Sequence, residues 1–356
     1  MNTRLLSLDV LRGITVAGMI VVNNAGGPLS YTSLQHSVWN GLTPCDLVFP
    51  FFLFIMGIST YIALRKFQFK PSGAVVAKIL RRTALIFLIG VALHWFDQVC
   101  DGQWLAFDSL RVTGVLQRIA LCYCAVSFLA LWMRHKALGW TAGIILAGYA
   151  ILLAAANGYV NDETNVLAIV DRSLLGETHL YTKMPVDPEG LVSTLPSIAH
   201  TLIGFLCGRL IMESPSLDRK MTGLFVTGFV LMAAGFLLTE AIPLNKRVWS
   251  PSYTLVTCGL AASLQAVLMY FIDAQGKRRW CRFFEVFGVN PLFLYVLSEV
   301  VAIVLNATEA KPIVYQAIHA VVTDPYLASA LYSLLFAGIM GAFGYGLYKK
   351  RIYIKI

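Results

Sequence analysis

Long apolar runs recur along the whole chain, and they restrict its fold more than any other feature of the sequence. About ten of them are long enough for a helix to cross the hydrocarbon core of a bilayer, which takes roughly 20 residues. The predicted spans are Leu5–Asn23, Asp46–Leu64, Ile79–Phe96, Val112–Met133, Leu138–Ala156, Leu191–Ile211, Met221–Glu240, Tyr253–Ile272, Val286–Leu305 and Tyr326–Tyr348. Of the 356 residues 58% are hydrophobic and only 13% are charged, too few to cover a soluble surface. We therefore predict a polytopic membrane helix bundle of the all-α class, with residues 1–356 forming one transmembrane domain.

Basic residues between the predicted spans indicate the orientation of the bundle. If the N-terminus is cytoplasmic, the loops and the tail on that side carry Arg65, Lys66, Lys70, Lys78, Arg81, Arg82, Arg134, Lys136, Arg209, Arg219, Lys220, Lys277, Arg278, Arg279, Arg282, Lys349, Lys350, Arg351 and Lys355. The loops on the other side are mainly acidic. Because cytoplasmic loops are enriched in Lys and Arg, both termini are predicted to be cytoplasmic. This clustering accounts for the net charge of +9, so we expect no nucleic-acid partner.

Polar groups at the two ends of the first predicted span form one candidate cluster. Asp9 and Arg12 are three residues apart and can meet on one helical face. Asn23 and Asn24 end the span just before a Gly-Gly pair that lets the chain turn. Polar groups near membrane depth usually face a cavity or a partner. An interfacial ion pair and an ordinary helix C-cap remain the alternatives to a functional site.

The stretch LQHSVWNGLTPCDLVFP, at positions 34–50, places a histidine just before an apolar span. Imidazole exchanges a proton near neutral pH, so His36 is a candidate general base. Trp39 and Asn40 are residue types that position a sugar or an amide. Asp46 follows Thr43 by three residues, which resembles a helix N-cap pattern, and it is also placed to orient an imidazole. The alternative is a loop histidine beside a carboxylate that merely starts a helix.

Two further clusters carry polar residues near membrane depth. Arg118, with Gln117 beside it, interrupts an apolar span, and a buried arginine needs an acid, a carbonyl or a phosphate. Its partner is either a protein group or an anionic ligand, and the sequence favours neither. The other cluster comprises Asn245, Lys246 and Trp249 at the mouth of a span, Glu299 further along, and Asn290-Pro291, which is predicted to break a helix.

Together these stretches resemble one family. The similar segments, in the same order along nearly the whole chain, are LDVLRGITVAGMIVVNN, HSVWNGLTPCDLVFPFFLFIMGIS, RVTGVLQRIALCY, DPEGLVSTLPSIAHTLIGFLCG and NKRVWSPSYTLVTCG. They look like the transmembrane domain of the heparan-alpha-glucosaminide N-acetyltransferase family and its bacterial NagX-like branch. The resemblance implies an acyltransferase that moves an acetyl group from cytosolic acetyl-CoA to an amino sugar on the external or periplasmic side. It also implies a multi-pass protein of the bacterial inner membrane, with an envelope amino sugar or oligosaccharide as acceptor.

The resemblance also implies roles for particular residues. The active-site histidine of the family falls on His36, its aspartate on Asp46 and its asparagine on Asn23, with Asn24 as a substitute because the following loop is slightly longer here. We expect His36 to be the base, Asp46 to orient or stabilise it, and Asn23 to stabilise the oxyanion. The donor acetyl-CoA is expected to contact Arg118, Gln117 and Arg12. The acceptor is expected to contact Trp39, Asn40, Asn245 and Trp249. No metal is expected, and a homodimer is one assembly left open.

Two other classes of protein fit the same composition. A sugar or N-acetylglucosamine transporter also contains broken helices and intramembrane polar groups, although we find no inverted repeat here. A structural or assembly protein would use the same polar residues for packing. A transporter moves labelled N-acetylglucosamine into proteoliposomes unchanged without acetyl-CoA, whereas an acetyltransferase releases CoA and an acetylated acceptor.

Overall fold

Helices form the fold over residues 5–354, the range that the computed structural model describes. Its α-helices are α1 (Leu6–Asn23), α2 (Val48–Arg65), α3 (Gly73–Cys100), α4 (Val115–Trp132), α5 (His135–Ala155), α6 (Val166–Leu175), α7 (Thr194–Glu213), α8 (Leu217–Leu238), α9 (Pro251–Leu268), α10 (Cys281–Val289), α11 (Pro291–Ala307), α12 (Ala310–Val321) and α13 (Pro325–Lys349). A 3₁₀ turn at Pro44–Leu47 leads into α2, and a π-helical turn at Met269–Ala274 continues α9. Because this range contains no β-strand, the predicted all-α class is confirmed. The predicted tail residue Lys355 lies outside it.

By length and composition, the described residues contain eight or nine candidate spans, and about ten were predicted. Within residues 5–354, eight helical segments are long and apolar enough to cross a membrane, or nine if the bent pair α10 and α11 counts as one span. The eight are Leu6–Asn23, Pro44–Arg65, Val115–Trp132, His135–Ala155, Thr194–Glu213, Leu217–Leu238, Pro251–Ala274 and Pro325–Lys349. The predicted span Ile79–Phe96 lies within α3, which is not among them and carries Lys78, Arg81 and Arg82 in its first half. The polytopic helical bundle itself is confirmed.

The bundle has two ends, which we call the Arg12 end and the His36 end. Successive spans run in opposite directions, so their connections alternate between the two ends. Ile354 lines the same cavity as Arg12, which places both limits of the described range at the Arg12 end. Lys78 and Arg82 line that cavity too. This grouping agrees with the predicted orientation, and the cytoplasmic location of the Arg12 end remains a prediction.

Close backbone contact joins α2 to α7. A Cβ atom added to Gly57 would lie 2.2 Å from the carbonyl oxygen of Thr201, and one added to Gly204 would lie 2.3 Å from that of Phe54. No real side chain fits at these distances, so the two glycines let the helix backbones touch. Membrane helices associate largely through such packing, because lipid chains are as apolar as the side chains they contact. The contact anchors α2, and with it the loop that carries His36.

The predicted break at Asn290-Pro291 separates α10 from α11, and the bend between them is 82°. Pro291 has no N–H to donate to the preceding turn. The Asn290 side chain binds the C-terminal segment across the break: Nδ2 donates to the carbonyl of Ile352 at 2.9 Å, and Oδ1 accepts from the N–H of Ile354 at 2.9 Å. The break is therefore confirmed and is stabilised by long-range hydrogen bonds.

Replacing Gly57 with leucine is expected to force α2 and α7 apart, because the new Cβ would overlap the Thr201 carbonyl. The expected loss in the free energy of unfolding is about 1–3 kcal/mol, or more if α2 moves as a whole. It is measured as a lower thermal midpoint in detergent. Gly143→Leu on α5 is the matched control, since nothing lies within 4 Å of its added Cβ. Equal midpoints for the two variants would contradict the close contact.

Candidate active site

His36 and Asp46 form a hydrogen-bonded pair at the His36 end. Nδ1 of His36 lies 2.8 Å from Oδ1 of Asp46. The carboxylate is buried, with 0% of its side chain exposed, whereas 35% of the imidazole side chain is exposed. Because the carboxylate accepts the Nδ1 proton, the lone pair of the imidazole stands at Nε2. Nε2 is therefore the atom that can take a proton from a substrate.

The chain before α2 folds around the other oxygen of Asp46. Oδ2 accepts from the N–H of Ser37 at 3.1 Å, from the N–H of Thr43 at 3.1 Å and from the Thr43 hydroxyl at 3.0 Å. Thr43 and Asp46 form a capping box, which confirms the predicted N-cap pattern. The Tyr253 hydroxyl donates to the carbonyl of Asp46 at 2.6 Å. These contacts fix the carboxylate, so the imidazole bound to it has one favoured orientation.

Lys246 is the third member of this group. Its Nζ lies 2.9 Å from Nδ1 of His36 and 3.5 Å from Oδ1 of Asp46, and only 7% of the residue is exposed. Burial lowers the pKa of His36 below its ordinary value of 6.5; the Asp46 hydrogen bond opposes this shift and the Lys246 charge adds to it. Burial also lowers the pKa of Lys246, against the attraction of Asp46. The imidazole is therefore neutral at neutral pH, as a general base must be.

A cavity of about 870 Å³, which we call the His36 cavity, opens beside the imidazole. Asn23, Asn24, Gln117 and Glu299 contribute polar groups to its wall. Nδ2 of Asn23 donates to Oε1 of Glu299 at 3.2 Å, whereas Nδ2 of Asn24 donates back into α1. The fold thus brings His36, Asn23 and Gln117 around one space, although Gln117 is far from the other two in the sequence. Of the two asparagines, Asn23 is the one whose side chain points across the cavity to another helix.

The DPEG segment, residues 187–190, forms an ion-pair network with Arg111, a residue that lines the His36 cavity. Nη2 of Arg111 lies 2.9 Å from Oδ1 of Asp187 and 2.9 Å from Oε2 of Glu189. The Thr113 hydroxyl and the Tyr181 N–H donate to Oδ2 of Asp187 at 2.5 and 2.9 Å. Burial raises the pKa of Asp187, but the Arg111 charge and these hydrogen bonds outweigh burial and hold the pKa below its ordinary value. The network ties the loop after α6 to the loop before α4.

A second cavity, of about 400 Å³, lies at the Arg12 end and is called the Arg12 cavity. Arg12, Lys78 and Arg82 line it together with apolar side chains. Nη1 of Arg12 lies 3.1 Å from Oδ1 of Asp9, which confirms their predicted meeting on one helical face, and Nη2 donates to the Ser59 hydroxyl at 2.9 Å. Three basic side chains around one space are suited to an anionic group.

One face of α3 lines both cavities. It presents Val75, Lys78, Ile79, Arg82 and Ile86 to the Arg12 cavity, and Gly90, Leu93, His94, Asp97 and Gln98 to the His36 cavity. These positions follow one another at helical spacing and form a single stripe. Ile86 and Gly90 are four residues apart, so the two cavities lie about 6 Å apart along the helix. The helices α4 and α11 also contribute residues to the linings of both cavities.

Arg118 lies outside the lining of both cavities, and its role as a ligand of the donor stays a prediction. Only 1% of the residue is exposed. Nη2 donates to the carbonyl of Gly190 at 3.0 Å and to the hydroxyl of Ser193, and the guanidinium carbon lies 5.3 Å from the centre of the Trp249 ring. Its Nε and Nη1 are buried and have no hydrogen-bond partner among the described residues. Nη2 therefore makes a structural contact, and both alternatives that the sequence left open remain predictions.

The four residues predicted to contact the acceptor also lie outside both linings. Nε1 of Trp39 donates to the carbonyl of Tyr159 at 2.9 Å, and Nδ2 of Asn245 donates to Oδ1 of Asn40 at 3.0 Å. Trp249 is buried, with its ring edge-on to Tyr253 and other aromatic rings. These contacts hold the loop before α2 against the loop before α9. In this arrangement the four residues support the loops beside the site, and their contact with an acceptor stays a prediction.

The sequence analysis did not assign Lys246 a role beside His36. The two residues are 210 positions apart, and a lysine between two spans has an ordinary explanation in the charge pattern of membrane proteins. Cys45 was missed as well, although its Sγ lies 3.1 Å from Nδ1 of His36. The available signal was indirect: Lys246 falls in NKRVWSPSYTLVTCG, one of the segments that carry the family resemblance.

Known proteins resemble this chain over most of its length. The family model described as heparan-alpha-glucosaminide N-acetyltransferase, catalytic, matches residues 4–236. Curated relatives include the heparan-alpha-glucosaminide N-acetyltransferases of Homo sapiens and Mus musculus, each 28% identical, over 359 and 355 residues. Each match covers 83% of this chain and 53% of the relative. The chain therefore spans about half the length of the curated relatives it matches.

Replacing Arg118 with methionine is expected to destabilise the protein by about 1–3 kcal/mol, because the Gly190 carbonyl and the Ser193 hydroxyl lose a buried donor. The thermal midpoint in detergent measures the loss. Arg172→Met is the control, since Arg172 makes only a 3.5 Å pair with the exposed Glu163 and should change stability by no more than about 0.5 kcal/mol. A stable Arg118→Met protein would argue against the structural role.

Proposed function

Because the chain belongs to the heparan-alpha-glucosaminide N-acetyltransferase catalytic family, we propose that it transfers an acetyl group from acetyl-CoA to the amine of an amino sugar. The observation that carries this proposal is the His36–Asp46 pair on the wall of the His36 cavity. An imidazole that is oriented by a buried carboxylate and lines a cavity is the arrangement that general-base catalysis needs.

In the proposed reaction the acceptor amine attacks the carbonyl carbon of the acetyl thioester. Nε2 of His36 takes the proton that the amine nitrogen loses as the new C–N bond forms. The C–S bond then breaks, and the CoA thiolate leaves and takes up the proton from His36. Asp46 stabilises the transient imidazolium and holds it in place through the 2.8 Å hydrogen bond.

Negative charge develops on the acetyl oxygen during this step and needs hydrogen-bond donors. Asn23 is our candidate donor, because its amide lies on the cavity wall. Its NH₂ group has two N–H bonds, and one of them donates to Glu299. Gln117, also on the wall, offers an amide suited to the polar groups of the pantetheine arm. These assignments keep the roles expected for Asn23 and Gln117, while Arg118 moves to a supporting role.

The Arg12 cavity is the proposed site for the phosphate groups of acetyl-CoA. Arg12, Lys78 and Arg82 supply positive charge there, in place of the predicted Arg118. Eleven residues separate Arg82 from Leu93 along the shared stripe of α3, about 17 Å of helix. An extended pantetheine arm can follow this stripe and carry the thioester from one cavity to the other.

The proposed route has a direction across the membrane. With the basic Arg12 end in the cytoplasm, cytosolic acetyl-CoA enters there and the acceptor reaches the His36 cavity from the opposite side. A bacterial inner membrane and an envelope amino sugar fit this orientation. A carrier would use the bend at Asn290-Pro291 equally well, but it has no need of a carboxylate-bound imidazole.

Replacing His36 with alanine is expected to lower acetyl transfer by about 10²–10⁴-fold, the usual contribution of a general base. The assay measures CoA release from acetyl-CoA with glucosamine as acceptor, and thermal midpoints verify folding. His319→Ala on α12 is the control, since that imidazole binds the Val322 carbonyl at 3.0 Å and lines neither cavity. An active His36→Ala enzyme would remove the proposed chemistry.

Replacing Arg82 with methionine is expected to raise the KM for acetyl-CoA roughly tenfold, because one charged contact to phosphate is lost. The adjacent Arg81 is exposed and lies outside the lining of the Arg12 cavity, so Arg81→Met is the matched control and should keep its KM. Steady-state kinetics at saturating glucosamine distinguishes the two. Equal KM values would place the phosphates elsewhere.

A further inference from the structure

Lys246 is the buried cation closest to His36, and we propose that it is a positioning residue that keeps His36 in the neutral form with Nε2 ready to accept a proton. This inference rests on the proposed function, in which His36 is the base. Lys246 lies outside the lining of the His36 cavity, so it acts through the imidazole and not on the substrate.

The distances explain why a lysine is needed here. A carboxylate 2.8 Å from an imidazole attracts a proton to it and favours imidazolium, which is useless as a base. The Lys246 ammonium lies 3.5 Å from the same carboxylate oxygen, and 2.9 Å from Nδ1 and 3.3 Å from Nε2 of His36. It offsets the Asp46 charge and repels a second proton on the ring. Because Asp46 and Lys246 are both buried, water screens these interactions little.

The charged and titratable groups around the imidazole come from several elements. The turn before α2 supplies Asp46 and Cys45, and the loop before α9 supplies Lys246 and Arg247. Across the cavity, the facing charged and titratable groups come from α3, α11, α12 and the loops before α4 and α7: His94, Asp97, Glu299, Lys311, Arg111 and Lys183. Among the described residues, Asp46 and Lys246 are the pair of acidic and basic side chains that contact the ring, so their balance governs its protonation.

Hydrogen bonds in the loop before α9 hold the backbone around Lys246 in place. The N–H of Gly41 donates to the carbonyl of Leu244 at 2.7 Å, and Asn245 accepts from the N–H of Val248 at 3.1 Å. Trp249 adopts a left-handed conformation with φ of 53°, which is unusual for a bulky residue and persists only where surrounding contacts enforce it. The Asn40–Asn245 and Trp249 contacts, first expected to bind a substrate, thus place the lysine beside His36.

The test measures the titration of His36 and the pH dependence of catalysis on the whole protein in detergent. Histidine-labelled protein gives the His36 midpoint by NMR, with His36→Ala to assign the signal. In the wild type the midpoint is expected below 6.5. In Lys246→Met and Lys246→Gln it is expected to move up, and the acid limb of CoA release with glucosamine moves to higher pH with it. Lys246→Arg, which keeps the charge, restores both.

Arg172→Met, a surface charge removal at the same end of the bundle, is the control and should leave both midpoints unchanged. A wild-type midpoint above 6.5, or folded neutral variants with the wild-type midpoint, would overturn the role of Lys246. The wild-type titration keeps the inference testable if the neutral variants do not fold. An active His36→Ala enzyme with the expected titrations would instead overturn the proposed function and leave the electrostatic role intact.

Discussion

A buried carboxylate organises the His36 end of the protein. Moving a carboxylate out of water costs several kcal/mol unless hydrogen bonds and an opposite charge compensate for it. Asp46 receives both, from the imidazole of His36, from Thr43 and Ser37, and from the ammonium of Lys246. These donors come from separate parts of the chain. Satisfying one carboxylate therefore fixes two loops and one ring relative to each other.

In the proposed reaction, three helices connect the His36–Asp46 pair to the other end of the bundle. The stripe on α3, with parts of α4 and α11, runs from the basic Arg12 cavity to the His36 cavity. A reaction between reagents from two sides of a membrane requires such a path.

Contacts between residues that are close in the sequence could be predicted, and most contacts between distant residues could not. The Asp9–Arg12 pair, the Thr43–Asp46 capping box and the break at Asn290-Pro291 each follow from local spacing or from a proline. The predicted span Ile79–Phe96 falls in α3, which carries three basic residues and fails a test of composition, although this helix extends from one cavity to the other. The family resemblance pointed to His36 and Asp46, but it gave no means of placing Lys246 next to them.

The all-helical membrane architecture follows from the length and spacing of the apolar runs, because in lipid each helix must satisfy its own backbone hydrogen bonds. The roles of the polar side chains do not follow from these runs. A guanidinium or an indole is satisfied equally well by a ligand or by a protein carbonyl, so Arg118 and Trp39 gave the same signal in the sequence as residues that face a cavity. The packing of the helices settles the difference, since it alone sets which side chains border an open space and which meet another part of the chain.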